Sequence, residues 1–130
     1  MRQGVELAGS VPLGQMFTLS GAYTYTDARR PDGTRIGLVP FHDLTLSLDA
    51  ALGARLEAGL SVKHVAGRLD DFASFAMPDY TVVGAQASYE LSGGAEAYLR
   101  VENLFDETYE TSSGYAASPR AIYAGLRATF

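Results

Sequence analysis

Two histidines, His42 and His64, and two knots of acid, Asp70 with Asp71 and Asp106 with Glu107 and Glu110, are the residues whose chemistry first asks for an account. A pair of imidazoles can hold a soft divalent metal, but the sequence fixes no position for a third ligand, and two imidazoles alone make a weak site. The acidic knots lack the ordered spacing of a calcium loop, so they read as solvated loop. Serine, histidine and aspartate all occur, yet nothing resembles a glycine-flanked nucleophile elbow or a fixed triad order. The segment "GTRIG" lacks the Lys-Ser/Thr ending that a phosphate loop needs. Carboxylates such as Glu57 and Glu102 are better placed lining water than working in an apolar cleft. With no cysteine, disulfides, thiolate metal sites and thiol nucleophiles are excluded together. The expectation is a protein that is not an enzyme and carries no cofactor or metal.

The elements that hold these residues repeat with a period of two. In "GQMFTLSGAYTYTDA", Phe17, Leu19, Gly21, Tyr23 and Tyr25 share one parity, and Thr18, Ser20, Thr24 and Thr26 the other. In "FHDLTLSLDAAL", His42, Leu44, Leu46, Leu48, Ala50 and Leu52 oppose Asp43, Thr45, Ser47 and Asp49. That alternation marks strands with one apolar face. It recurs around Leu56–Val62, Val83–Leu91, Ala97–Val101 and Ile122–Phe130, and more weakly from Val5 to Val11. About seven strands are expected, each near the ~9 to 11 residues that cross a bilayer at a tilt.

The connections alternate in length. "PLGQ", "LGA" and "SGG" are tight, whereas residues 27–39, 67–79 and 106–119 are long, polar and rich in Gly, Pro, Asp and Arg. Short turns at one end and long loops at the other are the habit of outer-membrane barrels. A three-residue turn at Leu52, Gly53 and Ala54 would set Leu48 against Ala58, Leu46 against Leu60 and His42 against His64, with both rings outward at the interface. The "SGG" turn would set Tyr89 against Ala97, Ala87 against Leu99 and Gln86 against Arg100. A slip of one residue would mix the faces.

The apolar face is aliphatic in mid-strand and gains rings near the strand ends, at Phe17, Tyr23, Tyr25, Tyr89 and Phe130. Such girdles suit a lipid-facing band. The other face carries Asp43, Asp49, Glu57, Lys63, Arg100, Glu102 and Arg127 far into the strands, as a wide hydrated lumen would. No run approaches the ~18 apolar residues of a spanning helix. A net charge of −5 with scattered basic residues argues against nucleic acid as a partner. "MRQGVELAGS" lacks the apolar core of a signal peptide, so an export signal would lie elsewhere.

The segment "YLRVENLFDETYETSSGYAASPRAIYAGLRATF" resembles the carboxy-terminal end of TonB-dependent outer-membrane receptors. Asn103, Leu104, Phe105, Asp106, Tyr109 and Arg120 occupy the positions of the family's Asn-Leu-Phe-Asp element, following Tyr and final-strand Arg. "YTYTDA" and "VPFHDLTLSL" resemble preceding barrel strands, so residues 1–130 are expected to form the carboxy-terminal portion of a receptor barrel, without its plug domain and earlier strands. The resemblance implies an all-β fold: an antiparallel transmembrane β-barrel segment of about seven strands within a 22-stranded type of barrel, in the bacterial outer membrane. It also implies uptake of a scarce small-molecule nutrient, such as a ferric siderophore or cobalamin, energised by TonB through the missing plug. Tyr123, Gly125, Ala128 and Phe130 resemble the terminal signal read by the barrel-assembly machinery. The remaining partner is outer-membrane lipid. A small autonomous outer-membrane barrel serving as a structural protein or adhesin, and a soluble ligand-binding barrel, are the alternatives. An odd strand count disfavours the former, and charges deep on the polar face disfavour the latter.

Overall fold

A computed structural model describes residues 1–128. Among the described residues every regular element is a strand. In chain order they are β1 (Arg2–Leu13), β2 (Phe17–Ala28), β3 (His42–Leu52), β4 (Leu56–Ala66), β5 (Arg68–Leu69), β6 (Ala76–Met77), β7 (Tyr80–Ser92), β8 (Ala95–Glu102), β9 (Glu110–Ser112), β10 (Tyr115–Ala116) and β11 (Ala121–Ala128). Seven of them form one antiparallel sheet in the order β1-β2-β3-β4-β7-β8-β11. The four short strands form two small hairpins, β5 with β6 and β9 with β10, inside two of the long loops.

Alternation in the sequence becomes two coherent faces because the registers mostly join like to like, Asp43 opposite Val65 and Lys63 opposite Val82 near the loop end being exceptions. On one face Val11, Leu19, Leu48, Leu60, Ala85 and Val101 lie in a row across six strands. On the other, Ser10, Ser20, Ser47 and Ser61 form a row of hydroxyls that ends at Gly84. Cross-strand pairs of this kind are what fix a sheet's register. One concavity on the polar face touches Thr18 in β2, Asp49 in β3, Glu57 in β4, Gln86 in β7, Arg100 in β8 and Arg127 in β11. The sheet therefore curls toward its polar side.

The tight connections differ slightly from expectation. β1 and β2 join through Gly14, Gln15 and Met16, and β3 and β4 through Gly53, Ala54 and Arg55. Gly14 and Gly53 open these turns at φ 73° and 83°, where a side chain is penalised. The last residue of each turn is held by the next strand, Met16 O accepting from Ala51 N at 2.8 Å and Arg55 O from Glu90 N at 2.8 Å. The β3–β4 register is thus displaced by two residues from the one the alternation suggests: Leu48 faces Leu60, and His42 faces Ala66 while Leu44 faces His64. An even displacement leaves each residue on its expected face. The β7–β8 register is as expected, with Ala87 on Leu99, Tyr89 on Ala97 and Gln86 on Arg100, although the turn narrows to Gly93 and Gly94 beside a bulge.

Burial is distributed in a way no ordinary sandwich would tolerate. Ala28, Val65 and Met77 are the buried apolar side chains of the described residues, and Thr26, Asp27, Arg68, Asp70 and Asn103 the buried polar ones. All sit at the end of the sheet that carries the long loops. Mid-sheet, Leu46, Leu60 and Leu99 remain 38 %, 49 % and 47 % exposed. The strands present an apolar face with nothing packed on it.

Candidate functional site

The candidate functional end is the packed cluster of three loops, 29–41, 67–79 and 103–120, which differ by a few residues from the expected 27–39 and 106–119 because β2 runs on to Ala28 and β8 stops at Glu102. Loop 103–120 is closed at its neck by the Asn-Leu-Phe-Asp element. Asn103 is buried in the left-handed region at φ 51°, a conformation asparagine accepts more readily than most residues. Its side-chain amide donates to Glu107 O at 2.9 Å and Ser118 O at 3.3 Å, and its Oδ1 accepts from Glu107 N at 2.8 Å. Asp106, also left-handed at φ 57°, accepts from Arg120 N at 2.8 Å, and the Arg120 guanidinium donates to Leu104 O at 3.3 Å. Leu104 N donates to Val83 O at 2.7 Å, tying the neck to β7. Tyr109 packs against Tyr80 with ring centroids 4.3 Å apart and the rings tilted by 30°. Five of the six motif residues therefore form a clasp, while the Phe105 side chain stands 74 % exposed beside it.

The acidic knots are solvated as expected at Asp71, Asp106, Glu107 and Glu110, which are exposed, but not at Asp70, which is buried. Asp70 is 3 % exposed, and its Oδ1 accepts from the amides of Ser74 and Phe75, the latter at 3.1 Å. Burial opposes its charge, but backbone N–H groups of Phe75, Ser74 and Phe72 outweigh that and hold the carboxyl below the usual range. Asp71 accepts from Ser112 Oγ at 2.7 Å, and Glu110 from Gly114 N at 3.0 Å. The carboxylates of Asp70, Asp71, Asp106 and Glu110 each serve a turn or a tie between loops. Among the described residues no group of three potential ligands is placed to hold a metal ion.

The histidines do not face each other. His42 Nδ1 shares a hydrogen bond with Tyr23 OH at 2.8 Å, and His64 Nδ1 shares one with Thr81 Oγ1 at 2.9 Å. His42 also joins Tyr23, Tyr25 and Phe41 in a belt of rings at the loop end of the apolar face. Phe17 and Tyr89 stand near the short-turn end, so both ends of this face carry rings.

On the polar face, charge is carried by pairs: Lys63 with Asp43 at 3.2 Å, Arg100 with Glu102 at 3.1 Å and Arg127 with Glu96 at 3.3 Å. They are too exposed to contribute much stability. Glu57 lines the same concavity. Tyr123 lies under the Arg100 guanidinium at 4.8 Å, and Gly125 leaves room for the Tyr98 ring, whose OH would sit 2.7 Å from an added Cβ. Ala128 pairs with Ala95. Phe130 lies outside the described residues.

Arg68 is the residue the sequence did not reveal. A lone arginine in a polar loop reads as solvated, yet this one is 4 % exposed. Its guanidinium donates to Thr111 O at 3.1 Å, Pro78 O at 3.2 Å and Glu110 O at 2.9 Å, with Tyr80 beneath at 4.7 Å.

Known proteins are similar to this chain in sequence and in fold. Residues 2–104 match the family model described as TonB dependent receptor-like, beta-barrel. The metal-pseudopaline receptor CntO of Pseudomonas aeruginosa is 33 % identical over 119 residues, covering 82 % of this chain and 17 % of that protein. The ferrichrome outer membrane transporter/phage receptor of Escherichia coli K12 is 32 % identical over 124 residues, covering 85 % and 17 %. The crystal structure of the ferripyoverdine receptor of the outer membrane of Pseudomonas aeruginosa superposes with a TM-score of 0.83 at 22 % identity, covering 98 % of this chain and 19 % of that one. The chain spans about a fifth of the length of these relatives.

Proposed function

Since the chain belongs to the TonB-dependent receptor family, as part of an outer-membrane β-barrel, we propose that the whole receptor imports a scarce nutrient, a ferric siderophore or cobalamin, with energy coupled through TonB and a plug seated against the polar face. Loops 29–41, 67–79 and 103–120 then face the outside and supply part of the ligand surface. The polar concavity faces the lumen of a barrel of the 22-stranded class, and the apolar face meets lipid. Tyr123, Gly125, Ala128 and Phe130 serve assembly rather than ligand binding.

The observation that carries this reading is the missing core. Leu19, Leu46, Leu60 and Leu99 on the apolar face stay more than a third exposed, whereas a soluble barrel would bury that face inward. Burial resumes where the long loops pack.

The test is uptake by cells in which the full-length receptor is deleted and then restored, using radiolabelled iron on hydroxamate and catecholate siderophores and radiolabelled cobalamin. Restoration of uptake for one of these, abolished when TonB is also removed, is expected. Uptake that is independent of TonB, or unaltered for every probe, would overturn the proposal.

A further inference from the structure

We propose that Arg68 is a positioning residue that makes the three long loops one body, so that the loop surface shifts as a unit or not at all. The tie itself is a feature of the packing; its bearing on ligand capture rests on the import reading above. A buried guanidinium normally finds a carboxylate, but the two terminal nitrogens of Arg68 donate to carbonyls from two loops: Pro78 in its own, and Glu110 and Thr111 in loop 103–120. Its Nε has no partner among the described residues, so its grip depends wholly on those carbonyls staying in place. A second contact, Ser112 Oγ to Asp71, joins the same two loops.

The same stretch grips loop 29–41 from the other side. Leu38 N donates to Leu69 O at 3.0 Å, next in sequence to Arg68, and the Arg35 guanidinium donates to Gly67 O at 2.7 Å. Gly37 approaches so closely that an added Cβ would lie 2.1 Å from Asp70 O. Residues 67–70 thus bond to one loop through the backbone and to the other through the Arg68 side chain. Separating loop 103–120 strands a buried cation, and displacing residues 67–70 to follow it removes the acceptors used by loop 29–41. Hydrogen-bonded groups of this kind open cooperatively.

Hydrogen exchange on the full-length receptor in detergent micelles, without ligand, reads the tie directly. The reporters are the amides of Leu38, bonded to Leu69 O, and Ala117, bonded to Tyr109 O. Arg68→Met keeps the aliphatic bulk and removes the donors; it should accelerate both amides together by about tenfold, with mid-strand β4 amides unchanged. Arg68→Lys, which keeps the charge with fewer directed donors, should fall between. If Arg68→Met is not recovered folded, Gly37→Ala drives the wedge from the opposite side, and acceleration should still reach Ala117. Acceleration confined to the altered loop in either variant refutes the tie. Because import is not measured, failure here leaves the import reading standing, and failure of uptake leaves the tie standing.

Discussion

Replacing Leu46 by arginine, beside a control at Ser47, tests which face meets lipid. β3 has 11 residues, and Leu46 is the fifth. At a rise of ~3.3 Å per residue and a tilt near 45°, such a strand spans about 26 Å along the membrane normal, close to the apolar band of outer-membrane barrels. Leu46 then lies within about 2 Å of the midplane, where a lipid-facing arginine costs about 2 to 4 kcal/mol. Its neighbours are Gly21 and Val62, neither able to pair with the charge. The cost corresponds to roughly a 30- to 900-fold shift in the folding equilibrium. Ser47 pairs with Ser20 and Ser61 on the polar face, so an arginine there stays hydrated and should shift stability by no more than about 0.5 kcal/mol. The assay is urea-dependent folding of the full-length receptor into phosphatidylcholine vesicles, followed by the mobility change on heating. Equal losses for Leu46→Arg and Ser47→Arg, or a larger loss for Ser47→Arg, would refute the orientation.

Asn103→Ala should open the neck of loop 103–120 by about 2 to 3 kcal/mol, since it strands two carbonyls and an amide at a left-handed position; tryptic cleavage after Arg120 should rise in step, and unaltered cleavage argues against the clasp. Asp70 has a depressed pKa, so its contribution is complete above the ordinary carboxylate range and lost as pH falls through the lower folded value; protection of the Phe75 amide, corrected for the intrinsic exchange rate at each pH, should stay flat on acidification to that range and fall only below it, and a fall already near neutral pH contradicts the sign. Deleting Phe130, or extending the chain beyond it with a charged tail, should lower folded receptor per cell without changing ligand affinity per folded receptor; the opposite pattern removes its assembly role.

Strand positions and faces were legible because a period of two survives any even displacement, and the same property hid the β3–β4 register. Moving the turn from residues 52–54 to 53–55 keeps Leu46, Leu48 and Leu60 on their face, so alternation carries no information about it. The deciding feature is a left-handed opening residue, shared by Gly14 and Gly53, together with the grip of the adjacent strand on the turn's last carbonyl. The clasp residues were found through resemblance, which marked their positions but not their bonds. Arg68 and Asp70 were illegible for another reason. A charged loop residue reads as solvated unless one knows that two other loops pack over it, and that packing joins segments about 40 residues apart with no periodic trace in the chain.

The strictly sequential order of the large sheet also makes it repairable by hairpin. If β4, loop 67–79 and β7 were removed together, the freed edges of β3 and β8 would still run antiparallel, because an adjacent up-and-down pair had been taken out. Rows that cross the gap show what would meet: Leu48 would come opposite Val101, apolar on apolar, and Asp49 opposite Arg100, acid on base. A barrel wall built this way can change its girth in steps of two strands without a mismatch at the seam, so width can be altered by gain or loss of a whole hairpin while each surviving strand keeps its face.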